Sequence, residues 1–276
     1  MLGAPSPGRL SVTDGKARLL PSPGTPGTAP GPRAGGGELY IGPGWVDLHT
    51  HVYDAMTQIS VPPDRVGLDG GVHIVADAGS AGQATIDGLV RYVIPTARTQ
   101  VRAWLNIGSH GLVHLRETAD PAFIDVDASL AAIDRHRDVV CGVKVRSSGA
   151  IVGAMGLQPL QLGRLVAREA GLPLLVHVGE APPLIDDVLD LLDAGDVITH
   201  CYHGKTGTPW RSDGTPTPPW PGPWTGVCCW TWVTARPASA STWPPARWRP
   251  ASRRTRSART STSATSAARS TTWPPR

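Results

Sequence analysis

The chain has 276 residues, enough for one (β/α)8 barrel or two small domains. Its four cysteines form no Cys-x-x-Cys pair, which excludes a zinc ribbon and a thioredoxin-like redox motif. We see neither a secretory signal sequence nor an apolar run long enough to cross a bilayer, so we expect a soluble cytoplasmic protein without a membrane partner.

The net charge of +4 is concentrated in a C-terminal tail, residues 209–276. This tail carries ten Arg and a single acid, Asp213, for a net charge of +9, whereas the rest of the chain carries −5. It holds eight of the ten Trp but no Leu, Ile, Met or Phe, so we expect it to be disordered. A basic tail with Trp can also indicate nucleic-acid binding. We treat that as the weaker alternative and expect no nucleic-acid partner.

The remaining chain divides into two regions. Residues 1–37 are rich in Gly, Pro, Ser and Ala, and we interpret them as a disordered low-complexity linker or a degraded small β-domain. Residues 38–208 alternate strand-like and helix-like segments. We predict strands at 44–50, 72–78, 101–107, 139–145, 173–178 and 197–201, and helices at 85–98, 128–137, 160–170 and 184–192. This order predicts an α/β fold with a parallel sheet, a (β/α)8 TIM-type barrel that is incomplete here, with about six βα units.

Two histidines end the first strand of this region, in the sequence GWVDLHTH at 44–51. Side chains two residues apart in a strand point to the same face, so His49 and His51 project together. They lie at the C-terminal end of the strand, where barrels place their catalytic groups. Two neutral imidazoles on one face can chelate a divalent metal. The alternative is that both are ordinary polar residues at a strand end.

Three more residues follow the same pattern in later strands. Lys144 lies inside an apolar strand, where burial favours the neutral amine. Such an amine can react with carbon dioxide to give a carbamate that bridges two metals; the alternative is a lysine that reaches solvent at the strand end. His177 in LLVHVGE and His200 in ITHCYHG end two further strands. One such histidine is usually structural, but four histidines and a lysine at successive strand ends predict a metal site.

With the motifs PGWVDLHTHVY, GVKVRSSG, LLVHVGE and ITHCYHG, residues 38–208 resemble the amidohydrolase superfamily, in its dihydroorotase-like and deacetylase branch. The resemblance implies that His49 and His51 bind one divalent metal and His177 and His200 a second. Carboxylated Lys144 then bridges the two metals, and zinc is the usual metal.

The resemblance also implies a reaction. A hydroxide bridging the two metals hydrolyses a C–N amide bond or an acetyl ester of a small-molecule substrate. A single-metal hydrolase with unmodified Lys144 is an alternative within this class. Arg146 and His203 lie just past strand ends and are weaker candidates for substrate binding, Arg146 because a guanidinium pairs well with a carboxylate. A homo-oligomer is compatible with this interpretation.

One family feature is missing. Relatives commonly use an Asp at the end of the eighth strand as metal ligand and general base. No residue after His203 suits that role, because Asp213 lies in a turn-like sequence too close to the sixth strand. The literal chain can therefore be an inactive product with an open, aggregation-prone sheet edge.

An out-of-frame translation accounts for the tail. Its alphabet of Trp, Pro, Arg, Ser, Thr and Ala is typical of a GC-rich gene translated in the wrong frame. One allowed set of codons for residues 254–266, started two bases later, encodes DTISTDLHVRNV, which resembles the family's eighth-strand motif. Residues 219–235, treated the same way, yield LAGALDRGVLLDVGHG. We therefore predict a frame change near residues 218–219, from a sequencing error or a gene lesion.

Overall fold

A computed structural model describes the backbone of residues 8–13, 16–21 and 230–231, and the full atoms of residues 44–201, 203, 205 and 207–210. The chain divides into two units, of which one contains residues 1–43 and the other residues 44–245. Most of the tail, and with it the predicted disorder there, lies outside the described residues.

The N-terminal unit contains an antiparallel hairpin of two strands, β1 (Gly8–Thr13) and β2 (Lys16–Pro21). The strands pair up to Thr13 and Lys16, and the sequence between these residues is Asp14-Gly15. Asp-Gly is a preferred dipeptide for two-residue hairpin loops. Both interpretations of residues 1–37, a linker and a degraded small β-domain, stay predictions.

The second unit is built on a parallel sheet whose strands follow one another in chain order. Six of its strands form a curled half-barrel, the incomplete (β/α)8 architecture predicted from the sequence. The strands are β3 (Trp45–Thr50), β4 (Val72–Gly82), β5 (Gln100–Asn106), β6 (Val140–Ser147), β7 (Leu174–Val178), β8 (Val197–Thr199) and a short seventh, β9 (Trp230–Thr231).

Strand β9 lies in the tail, where we expected no strand. Its two residues pair in parallel with Ile198 and Thr199 of β8. The surrounding sequence VCCWTWV, residues 227–233, is the tail's densest run of β-branched and aromatic residues, the types that favour strands. The tail thus contributes a short strand to the sheet.

Helices connect the strands. The predicted helix at 85–98 is present but irregular, with an α-helical turn, a π turn at Leu89–Val93 and a 3-10 turn at Ile94–Thr96. Pro95 lacks the backbone N–H that a continuous α-helix needs, which explains the change of geometry. The α-helices are α1 (Pro63–Val66), α2 (Ile86–Gly88), α3 (Val126–Arg135), α4 (Gly149–Val152), α5 (Gln158–Ala170) and α6 (Ile185–Leu189). Short 3-10 turns lie at Leu68–Gly70, Gly111–Val113, Pro121–Phe123 and Gly153–Met155.

The two longest helices begin or end as their sequences predict. The Asp125 side chain accepts a hydrogen bond of 2.9 Å from the Ala128 N–H and caps α3. Helix α5 ends at Ala170, and Gly171 adopts the left-handed conformation with φ 64°. The chain is then directed into β7. None of the described helices combines the length and apolar character needed to cross a membrane.

The alternation of side chains along the strands separates two faces of the sheet. On β6, Val143 and Val145 are fully buried in the main hydrophobic core, together with residues of α3 and α5. Lys144 lies between them in sequence and therefore points to the opposite face, inside the half-barrel. On β7, His177 likewise alternates with core residues Val176 and Val178. The sheet thus directs polar groups inward at its C-terminal rim.

Candidate metal centre

The structure brings four histidines predicted as ligands into one continuous group. The ring centroids of His49 and His51 lie 5.3 Å apart, those of His49 and His200 lie 5.0 Å apart, and those of His177 and His200 lie 4.6 Å apart. These residues come from three strands separated by as many as 151 positions in the sequence, so the parallel sheet creates the group. The predicted convergence at one rim is what the structure shows.

His200 joins the group through an unusual backbone conformation. Its φ is 66°, in the left-handed region that residues other than glycine seldom adopt. Strand β8 ends one residue earlier, at Thr199, so the chain turns sharply at His200. Such outliers cluster at functional sites, where the surrounding structure holds them in place.

Lys144 lies beside these imidazoles and is only 1% exposed. Its Nζ atom has no hydrogen-bond partner among the described residues. Burial, and then the charge of Arg146, lower the pKa of Lys144 to about 7, while Glu117 and Asp77 oppose the shift. A large part of the lysine population is therefore neutral at physiological pH, and a neutral amine is the form that reacts with carbon dioxide.

Gly79 makes room for this lysine. It has φ 87°, and a Cβ atom at this position would lie 2.5 Å from Cγ of Lys144. Any other residue would have to displace the lysine stem and adopt an unfavourable backbone conformation.

Three of these histidines, His49, His51 and His177, are neutral at physiological pH because their pKa values are lowered. Burial, followed by the charge of Lys144, lowers the pKa of His51 to about 3 and that of His49 further still. Burial also lowers the pKa of His177, with His200 as the next cause. Neutral imidazoles have a free lone pair on one ring nitrogen, which is the form that binds metals.

Among the described residues, no group of three His, Cys, Asp or Glu side chains is placed to hold a metal ion by itself. A metal ion at this centre would therefore need a ligand of another type. Lys144 in carbamate form would supply oxygen ligands, and its buried, unpartnered Nζ lies beside the imidazoles.

The sequence of this chain is similar to those of known deacetylases. No family model matches the chain. The chain is 42% identical over 179 residues to a deacetylase of Brucella anthropi, a match that covers 64% of this chain and 44% of that protein. It is 43% identical over 172 residues to a deacetylase of Agrobacterium fabrum, covering 61% and 42%.

Two solved structures are also similar to this chain. A dihydroorotase matches with a TM-score of 0.59 and 43% identity, over 60% of this chain and 45% of that chain. An adenine deaminase matches with a TM-score of 0.61 and 34% identity, over 63% and 48%. Over about three fifths of its length this chain is therefore similar to deacetylases, to a dihydroorotase and to an adenine deaminase. Its resemblance to the dihydroorotase-like and deacetylase branch is confirmed, and it spans less than half the length of these relatives.

The two weaker candidates for substrate binding, Arg146 and His203, lie near the centre but have other partners. Arg146 lies 3.2 Å from the carboxylate of Glu117, so part of its guanidinium is already engaged inside the protein. Nδ1 of His203 accepts a hydrogen bond from the Lys205 N–H, while its Nε2 is buried without a partner among the described residues. His203 is close enough to His177 to lower its pKa. Their roles in substrate binding stay predictions.

Sequence reasoning missed several residues that support the centre. Asp77 is fully buried at the centre of β4, and a carboxylate in the apolar run VHIVADAG was a signal that we did not use. Ser80 contacts His51 and Thr199 contacts His49, each through a hydroxyl group. Glu117 is fully buried in the loop after β5, where no local sequence pattern indicates it.

Proposed function

We propose that residues 44–210 form the metal-binding part of a hydrolase that cleaves a C–N amide bond or an acetyl ester in a small molecule, with deacetylase-like or dihydroorotase-like activity. The similarity to deacetylases and to a dihydroorotase supports hydrolysis, and the residues of the centre support a metal-dependent mechanism. The observation that carries this proposal is the placement of Lys144, fully buried and unpartnered, beside four imidazoles.

In this proposal His49 and His51 hold one divalent metal, His177 and His200 hold a second, and carboxylated Lys144 contacts both. We propose zinc as the metal, since imidazole and carboxylate-type ligands suit it. When bound, the two ions supply Lewis acidity and a hydroxide nucleophile at neutral pH. The chain's own contribution is to keep the imidazoles neutral by burial and to hold the lysine amine uncharged and ready for carboxylation.

The positive charge of Arg146 gives the centre a further property. Its guanidinium lowers the pKa of His51, Lys144 and His177, so it lies near all three. A cation so placed favours substrates with a negative charge close to the reacting bond. The contact with Glu117 engages Nη1 of Arg146 and fixes the position of this cation.

A second candidate function concerns the literal chain, that is, the chain with residues 209–276 exactly as the given sequence has them. The sequence after His203 contains one acid, Asp213, and no Asp at the position that relatives use for their general base. We propose that the chain as written binds metal but does not turn over substrate, and that the frame-corrected chain restores the missing Asp.

The test compares both chains. We expect metal analysis of the purified literal chain to find up to two zinc ions per chain, reduced by His177→Asn. The matched control is His136→Asn, because His136 is a half-buried histidine of a helix end that pairs with Asp87 away from the centre. We expect the frame-corrected chain to hydrolyse acetylated amines or acetyl esters, and the literal chain to be at least about a hundredfold slower. Absence of stoichiometric metal from both chains contradicts the proposal.

A further inference from the structure

The two histidines of the HTH motif are each held by a side-chain hydroxyl. Nδ1 of His51 lies 2.9 Å from Oγ of Ser80, and Nδ1 of His49 lies 2.7 Å from Oγ1 of Thr199. In both rings the hydroxyl engages Nδ1, which leaves Nε2 as the ring nitrogen available to a metal. The two contacts come from different strands, β4 and β8, so they are independent features of the fold.

Ser80 is itself oriented by a buried carboxylate. Oδ1 of Asp77 accepts a hydrogen bond of 2.6 Å from the Ser80 N–H, and Oδ2 accepts one of 2.8 Å from the Val52 N–H. Asp77 thereby links Val52, which follows His51 in the sequence, to Ser80, whose hydroxyl contacts the His51 ring.

Metal binding by Nε2 requires a particular tautomer of each ring. A neutral imidazole that binds a metal through Nε2 carries its ring proton on Nδ1. The hydroxyl oxygen at Nδ1 would then accept a hydrogen bond from the ring N–H, Ser80 at His51 and Thr199 at His49. Ligand histidines usually donate this second N–H to a carboxylate, a carbonyl or water. Here a serine hydroxyl lies between the ring and the carboxylate.

We propose that Ser80, supported by Asp77, and Thr199 are positioning residues that keep His51 and His49 in the Nδ1–H tautomer, with Nε2 directed to the metal. This inference rests on the proposed function for its metal but not for the tautomers. Removing either hydroxyl frees the ring to rotate and to carry its proton on Nε2, the nitrogen that a metal needs unprotonated.

The test uses the full chain with Ser80→Ala and Thr199→Val, the second of which keeps the β-branched shape. The matched control is Ser129→Ala, because Ser129 is a buried serine of α3 that donates to the Asp125 carbonyl at 2.6 Å. Nitrogen NMR of the metal-free protein reports the tautomer of each imidazole. We expect the Nδ1–H form at both histidines, lost only at His51 in Ser80→Ala and only at His49 in Thr199→Val.

Zinc affinity, measured by competition with a chelator, is the second readout. We expect each substitution to weaken binding by roughly 10- to 100-fold, with Thr199→Ser close to the unmodified protein and Ser129→Ala unchanged. If the full chain binds no zinc, the proposed function fails, while the tautomers still decide this inference. Nε2–H tautomers in the unmodified protein, or tautomers that neither substitution changes, overturn it.

Discussion

Replacing Lys144 by Met should stabilise the metal-free protein while abolishing the carbamate. Burial lowers the pKa of Lys144 from 10.5 in the unfolded chain to about 7 in the folded chain. Between pH 7 and pH 10.5 the lysine is therefore protonated in the unfolded chain but mostly neutral in the folded chain. Stability of the unsubstituted protein therefore rises with pH across this window, by about 1.4 kcal/mol per pH unit. The accumulated penalty is about 4 kcal/mol at pH 7 and about 3 kcal/mol at pH 8. Methionine has a similar length and no charge, and therefore escapes the penalty.

The assay is denaturant unfolding of both proteins, free of metal and in buffer free of carbon dioxide, at about pH 7.5, 8.5 and 9.5. Comparing the two proteins isolates the lysine, because other groups titrate equally in both. We expect the stability advantage of Lys144→Met to shrink by about 3 kcal/mol across this range. A constant difference, or one that grows with pH, would refute the reasoning that burial keeps this amine neutral.

Two further predictions follow from the surroundings of the lysine. Gly79→Ala should cost more stability than Gly171→Ala, because both glycines have positive φ but only the alanine at 79 meets Lys144. We expect about 1 kcal/mol for the control and roughly 3 kcal/mol or more for Gly79→Ala, with weaker zinc binding; equal losses in thermal or denaturant unfolding would contradict the close contact. Glu117→Ala should leave the largely buried Arg146 without its partner and cost roughly 3–5 kcal/mol in denaturant unfolding. Glu117→Gln, which keeps the shape, should cost less, and a neutral effect of Glu117→Ala would show that the ion pair contributes nothing.

Local sequence patterns predicted most of the sheet. Apolar runs bounded by Gly, Asp or Ser located all six main strands to within a few residues, because a strand buried on both faces needs such a run. The same patterns placed the histidines that we predict as metal ligands at strand ends. They did not predict the hairpin of residues 8–21 or the irregular geometry of the helix that contains Pro95.

The sequence by itself determined which residues point inward, because side chains alternate along a strand whatever its neighbours are. The sequence alone shows that Lys144 alternates with the apolar residues Val143 and Val145. Only the tertiary structure decided the partners of these residues. His49 meets Thr199 across 150 positions, and Glu117 reaches Arg146 from a loop, because the parallel register of the sheet brings distant strand ends together. That register depends on the packing of the whole sheet, which no local pattern encodes.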